Sequence, residues 1–153
     1  MRIRFFVAAA AGAILFSYEV TAQNITSPKN GLEYIGKSVR GVPVSPAVRV
    51  GRTLLVSGTP GFGEGGKLAS DFSGQMKQAM ENITALLKSA DAGWERVGKV
   101  TVYLTRREDF GEMNRIYASY FPDARYPART TLVVSALPQP DFFVEIECEA
   151  FLE

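Results

Sequence analysis

The chain has 153 residues, 46% of them hydrophobic, enough for one domain with a moderate core. Seventeen basic residues face 16 acidic ones, histidine is absent, and Cys148 is the single cysteine. These counts exclude an internal disulfide and zinc held by Cys/His clusters, remove the commonest general base, and leave no basic stripe for nucleic acid. Acid–base chemistry falls to Asp, Glu, Lys, Tyr or water.

The chain opens with Arg2 and Arg4, then an apolar run from Phe5 to Phe16, then the small-residue pattern Val20-Thr21-Ala22. This is the layout of a secretory leader over 1–22, cut after Ala22. As a helix the twelve-residue run reaches roughly 18 Å, short of the ~30 Å needed to cross a bilayer. The reading predicts a secreted or periplasmic product with no membrane attachment after cleavage. Removing Arg2, Arg4 and Glu19 leaves 15 basic and 15 acidic residues. The polar stretch 23–40 is expected to be an arm, with a possible short strand at Leu32 to Ile35, and 41–153 the folded domain.

Within that domain, Ala47 to Gly58 alternates about Gly51-Arg52 and predicts a hairpin. Gly58 to Leu68 carries five glycines and one proline and is expected to be a loop. No Gly-Lys-Ser/Thr follows, so it is no phosphate-binding loop. Asp71 to Ala90 has apolar residues at spacings of three and four, the mark of an amphipathic helix, with Ser70 as its cap and Asp71 in its first turn. Val97 to Leu104 alternates as a strand. A second helix starts at Asp109, with Glu112 completing a capping-box-like pair and Phe110, Met113, Ile116, Tyr117, Tyr120 and Phe121 as its buried face. Pro122 stops it. Two strands close the chain, Arg129 to Ser135 and Phe142 to Phe151. The order predicts an α+β fold, a mixed sheet with two helices on one face. The other sheet face needs a cover that oligomerisation supplies.

Three residues invite chemistry. Pro127 makes Tyr126 extended, so the strand carrying Arg129 begins rigidly. The Arg129 guanidinium is a planar fork suited to a carboxylate; the alternative is a surface arginine paired with Glu147 or Glu149. Glu145 lies opposite the Val144 and Ile146 face. Partly buried, it would have a raised pKa and could pass a proton or orient water; the alternative is a solvated face shared by three glutamates. Cys148 points with the apolar set and is expected to be an inert core thiol.

The stretches "VPVSPAVRVGRTLLVSGTPG", "QMKQAMENITALLKSA", "VTVYLTRREDFGEMNRIYASYF", "YPARTTLVVSALP" and "VEIECEAF" together resemble the RidA (YjgF-type) family of enamine/imine deaminases over about residues 41–152. Ser57-Gly58, Pro127 to Arg129 and Glu145 to Glu147 recur in that family's order and spacing. The resemblance implies a chorismate-mutase-like α+β fold, a homotrimer with active sites between subunits, and no metal or organic cofactor. It implies that Arg129 binds the substrate carboxylate, that Glu145 positions the attacking water, and that Asn114 and the Gly58 backbone line the cleft. A 2-aminoacrylate-like enamine would tautomerise to an imine, water would add to its C=N carbon, and ammonia would leave a 2-oxo acid. Two substrate-binding positions depart from the family pattern: Val44 stands where a tyrosine is usual, and Thr131 where cysteine is common. A small imine or carboxylic acid is thus the expected ligand, with non-catalytic binding of a small carboxylic acid as the alternative to turnover.

Overall fold

The computed structural model describes residues 31–38 and 42–153. The predicted leader, its cleavage point and most of the arm lie outside the described residues. Strands β1 (Leu32–Ile35), β2 (Ala47–Val50) and β3 (Thr53–Pro60) precede helix α1 (Phe72–Ser89). Strand β4 (Val97–Leu104), helix α2 (Phe110–Ala118), β5 (Ala128–Val133) and β6 (Val144–Phe151) follow. They form one six-stranded mixed sheet in the order β1-β2-β3-β6-β4-β5. Only β4 and β5 run parallel, which is the pairing that a helical crossover allows. The fold class is the α+β arrangement expected.

Alternation sorts the sheet into two faces. Leu54 and Val56 of β3, Val100, Val102 and Leu104 of β4, and Val144, Ile146, Cys148 and Ala150 of β6 are buried under the helices. Helix α1 packs on β3 and β6 and against α2, bringing Met76, Met80, Ile83 and Leu87 to the core. Gln75, only 1% exposed, is the buried polar exception. Its amide nitrogen donates to the carbonyls of Ala69 and Asp141, and its oxygen accepts from the Phe143 amide. One side chain thus ties two loops to α1 and satisfies both its ends. Among the described residues nothing covers the opposite sheet face. The register places Tyr34, Val50, Leu55, Leu132 and Phe151 there, all exposed, among Lys99 and three glutamates of β6.

Six local expectations need correction. Helix α2 ends at Ala118, well before the expected stop at Pro122. Strand β3 runs through Gly58 to Pro60, so the expected loop starts later; its tip is closed by the Gly63 amide on the Lys67 carbonyl and a Phe62–Leu68 bridge. Asp71, not Ser70, caps α1, its carboxylate accepting from the Gly74 amide at 2.8 Å. The capping-box pair of α2 does not form: Arg106 takes the Asp109 carboxylate at 2.7 and 3.0 Å, while Glu112 accepts from Arg115 and Ser73. Phe110 is 44% exposed rather than buried. Side chains lean toward the helix N-terminus, so in the first turn Phe110 overhangs the end of the core. The last two strands are shorter than expected, each yielding two residues to a loop.

Candidate functional site

Arg129 enters from β5. Its Cα partner is Val100, so its side chain lies on the helix side of the sheet. There α2 meets it with three groups from little more than one helical turn, Met113, Asn114 and Tyr117. The guanidinium donates to Asn114 Oδ1 at 2.7 Å and to Met113 Sδ at 3.6 Å, and lies over the Tyr117 ring, 4.7 Å from its centroid. Asn114 and Tyr117 are i and i+3 on one helix face, so a single turn holds the fork and backs it with a π surface. Neither Glu147 nor Glu149 pairs with it; those carboxylates point from the other face. A groove of about 380 Å³ opens beside the guanidinium, lined by Asn114, Tyr117, Ala118, Tyr126, Pro127 and Arg129. A charged fork at the wall of a small, partly apolar groove has the chemistry to receive a carboxylate. Burial pushes the Tyr117 phenol up to about 12, against the pull of the Arg129 charge, so it stays neutral.

Thr131 follows two residues on and faces the same way, beside Val102. Its hydroxyl is buried without a hydrogen-bond partner among the described residues, as is the Tyr117 hydroxyl. Two buried hydroxyls left over near the Arg129 guanidinium are unusual in a settled core.

Glu145 occupies the other face. It alternates with buried Val144 and Ile146, and its Cα partners are Tyr103 on β4 and Pro60 on β3. The carboxylate lies against Gly58: a Cβ built at that glycine would overlap its Oε1. Here glycine matters for the space it leaves, at the point where β3 breaks register between Val56 and Thr59. Partial burial raises the Glu145 pKa, and the neighbouring Glu147 charge raises it further. The segment carrying Val44 is stitched to this region through Ser57, whose hydroxyl and amide donate to the carbonyls of Ser45 and Pro46. Val44 itself is exposed.

The six residues singled out from the sequence therefore fall into two groups. Arg129, Asn114 and Thr131 lie on the helix side of β5; Glu145, Gly58 and Val44 belong to the open side and the β3 turn. One chain does not bring Arg129 and Glu145 together, because the sheet stands between them. Tyr117 was legible only as part of a buried helix face. Its spacing from Asn114 is the signal that could have marked it, once β5 was known to pass beneath. Cys148 is a core thiol that burial pushes up to about 12, beyond use as a nucleophile.

Residues 40–152 match the family model described as Endoribonuclease L-PSP. A RutC family protein of Pyrococcus horikoshii is 41% identical over 115 residues, covering 72% of this chain and 88% of that protein. The 2-iminobutanoate/2-iminopropanoate deaminase of Mus musculus is 39% identical, covering 71% of this chain and 80% of its own. Among solved structures, RidA from the Antarctic bacterium Psychrobacter superposes with a TM-score of 0.73 at 33% identity, covering 78% of this chain and 99% of that one. TdcF of E. coli with bound serine gives 0.73 at 26% identity, covering 79% and 99%.

Proposed function

The chain belongs to the RidA family, and we propose that it is a hydrolytic deaminase of small 2-imino acids and their enamine tautomers. The observation that carries this is the pairing of a prearranged carboxylate receptor at Arg129 with a raised-pKa carboxylate at Glu145. Arg129 binds the acid end of the substrate through two parallel hydrogen bonds and fixes the C=N carbon in place. Glu145, ionised, takes a proton from water as the water oxygen bonds to that carbon. It gives that proton to the imine nitrogen as the C=N bond opens to a carbinolamine. It then takes the proton of the new hydroxyl and passes it to nitrogen as the C–N bond breaks and the C=O bond forms. Ammonia and a 2-oxo acid leave, with no net change in the enzyme. A raised pKa suits both halves of that exchange. Asn114 and Tyr117 hold the fork, and the Thr131 hydroxyl is a spare donor beside it.

Because one chain separates these groups by its own sheet, the reaction calls for assembly. The reading is a homotrimer in which the open faces meet and Arg129 of one copy faces Glu145 of the next. The exposed Leu55, Leu132 and Phe151 would supply apolar contact area. Export after cleavage behind Ala22 completes the proposal; N-terminal sequencing of the secreted product should begin at Gln23. The imine would then come from amino-acid oxidation outside the cytoplasm.

Binding without turnover is the second reading. It is favoured by the fact that the Arg129 groove is whole in one chain while Glu145 lies elsewhere. Cleavage of RNA, which the family description mentions, has little to stand on: 15 basic against 15 acidic residues after leader removal give phosphates no excess charge to meet. The deciding experiment follows ammonia release from imines made in situ by an amino-acid oxidase. Acceleration by the wild type and none by Arg129→Ala supports the deaminase. No acceleration across a panel of amino acids leaves the binding reading.

A further inference from the structure

Tyr103 stands on β4 in the open face, with Glu145 of β6 and Leu132 of β5 as its Cα partners. Its hydroxyl does not turn to the carboxylate directly opposite. It reaches diagonally along β6 and donates to Glu147 Oε1 at 3.0 Å. A phenol has one proton to give, so that bond fixes Glu147 in place. Glu147 is two residues from Glu145 on the same face, roughly 6.6 Å along the strand.

Among the described residues of one chain few other charges compete there; in the proposed trimer the guanidinium of a neighbouring copy's Arg129 also faces Glu145 and pulls the opposite way. Strand β3, packed on one side of Glu145, carries no ionisable side chain, and nor does the segment 42–46. On the other side β4 offers Lys99, whose ammonium is engaged with the Thr130 hydroxyl at 2.6 Å. Glu149 is a further two residues along β6. Glu147 is thus the charged group nearest to Glu145 along its own strand, and Tyr103 is what holds it.

We propose that Tyr103 is a positioning residue of this site: its hydroxyl pins the Glu147 carboxylate, and the pinned anion keeps Glu145 ready to take up a proton. The proposal rests on the reading of Glu145 as the proton-handling group. Tyr103 touches no reacting atom; it acts through Glu147. The titration behaviour agrees with the geometry. Burial and then the Glu147 charge raise Glu145, and the Tyr103 phenol is itself raised, chiefly by its bond to Glu147, so it remains a donor. A tyrosine serving only as sheet surface would be replaced by phenylalanine without consequence for Glu145.

The test is a direct titration of the Glu145 carboxyl by 13C NMR, in the protein labelled at its glutamate carboxyls, with Glu145→Gln for assignment. Wild type is compared with Tyr103→Phe and Glu147→Gln. Losing the charge, or the bond that fixes it, removes a force that favours protonated Glu145. The midpoint should therefore fall in both variants, and further in Glu147→Gln. The acid-side limb of kcat/KM should move to lower pH alongside it. An unchanged midpoint in Tyr103→Phe, with a fall in Glu147→Gln, overturns the role of Tyr103. No fall in either overturns the coupling altogether. The carboxyl titration needs no turnover: a shifted midpoint in a protein that releases no ammonia sustains the coupling and removes the deaminase reading instead.

Discussion

Around Arg129 the chain supplies partners: an amide oxygen at 2.7 Å, a thioether, and a tyrosine ring beneath the guanidinium. Around Glu145 it takes them away: Gly58 leaves a gap where any side chain would intrude, and β3 brings no charge. The first half holds a cation still, and in the proposed reaction faces it toward the substrate's carboxylate. The second is built to leave a carboxylate poorly solvated and free to change its protonation. Binding and proton transfer ask for these opposite environments, and a sheet with one covered and one open face provides both. The cost is that the two halves cannot meet within one chain.

If that division of labour is right, the halves should fail differently. Arg129→Ala should lower kcat/KM on the order of 10³-fold, the equivalent of two charge-assisted hydrogen bonds, and should abolish 2-oxo acid binding by calorimetry. Arg129→Lys should rescue little, since the planar fork is lost. Glu145→Gln should cost about 10²-fold in kcat while leaving 2-oxo acid binding intact. Loss of binding in that variant would erase the distinction between the halves. The acid-side limb of the wild-type rate should lie at higher pH than an ordinary glutamate would place it, because burial and Glu147 raise the Glu145 pKa. It is expected to disappear in Glu145→Gln.

Smaller changes sharpen the contrast. Gly58→Ala should displace the Glu145 carboxylate and reduce kcat about tenfold, with the fold retained by circular dichroism. Asn114→Asp should place a carboxylate on the guanidinium, compete with substrate, and raise KM about tenfold with little change in kcat. Cys148→Ala, in the core under the helices but in neither half, should leave activity unchanged and lower stability by about 1 kcal/mol in urea denaturation.

Much of this was legible from residue pattern, and the remainder was lost for identifiable reasons. Alternation in β6 put Glu145 opposite Val144 and Ile146, and the structure keeps it there, half-buried with a raised pKa. The i, i+3 and i+4 spacing drew α1 to within a residue at each end, but carried α2 past Ala118, where it ends, and put exposed Phe110 on its buried face. Capping went astray because it turns on single side chains with rivals: Asp71 outcompeted Ser70, and arginines claimed Asp109 and Glu112. The partnership of Asn114 and Tyr117 with Arg129 depends on β5 lying parallel to β4 beneath α2, a long-range pairing invisible to local periodicity. Gly58 sat among other glycines as an expected loop, and only its contact with Glu145 gives it a specific role. The separation of the halves follows from strand register, which no spacing of residues along the chain reveals.

The central claim, that Arg129 of one copy works with Glu145 of another, is tested most directly by mixing two dead proteins. Arg129→Ala and Glu145→Gln chains would be unfolded together in equal amounts, refolded, and assayed for ammonia release. If neighbouring copies share each site, random assembly should pair an intact Arg129 with an intact Glu145 at roughly a quarter of the sites, and activity should return to about that fraction of wild type. Activity no greater than the sum of the two separate variants, in mixtures shown by mass spectrometry to have exchanged subunits, would contradict it.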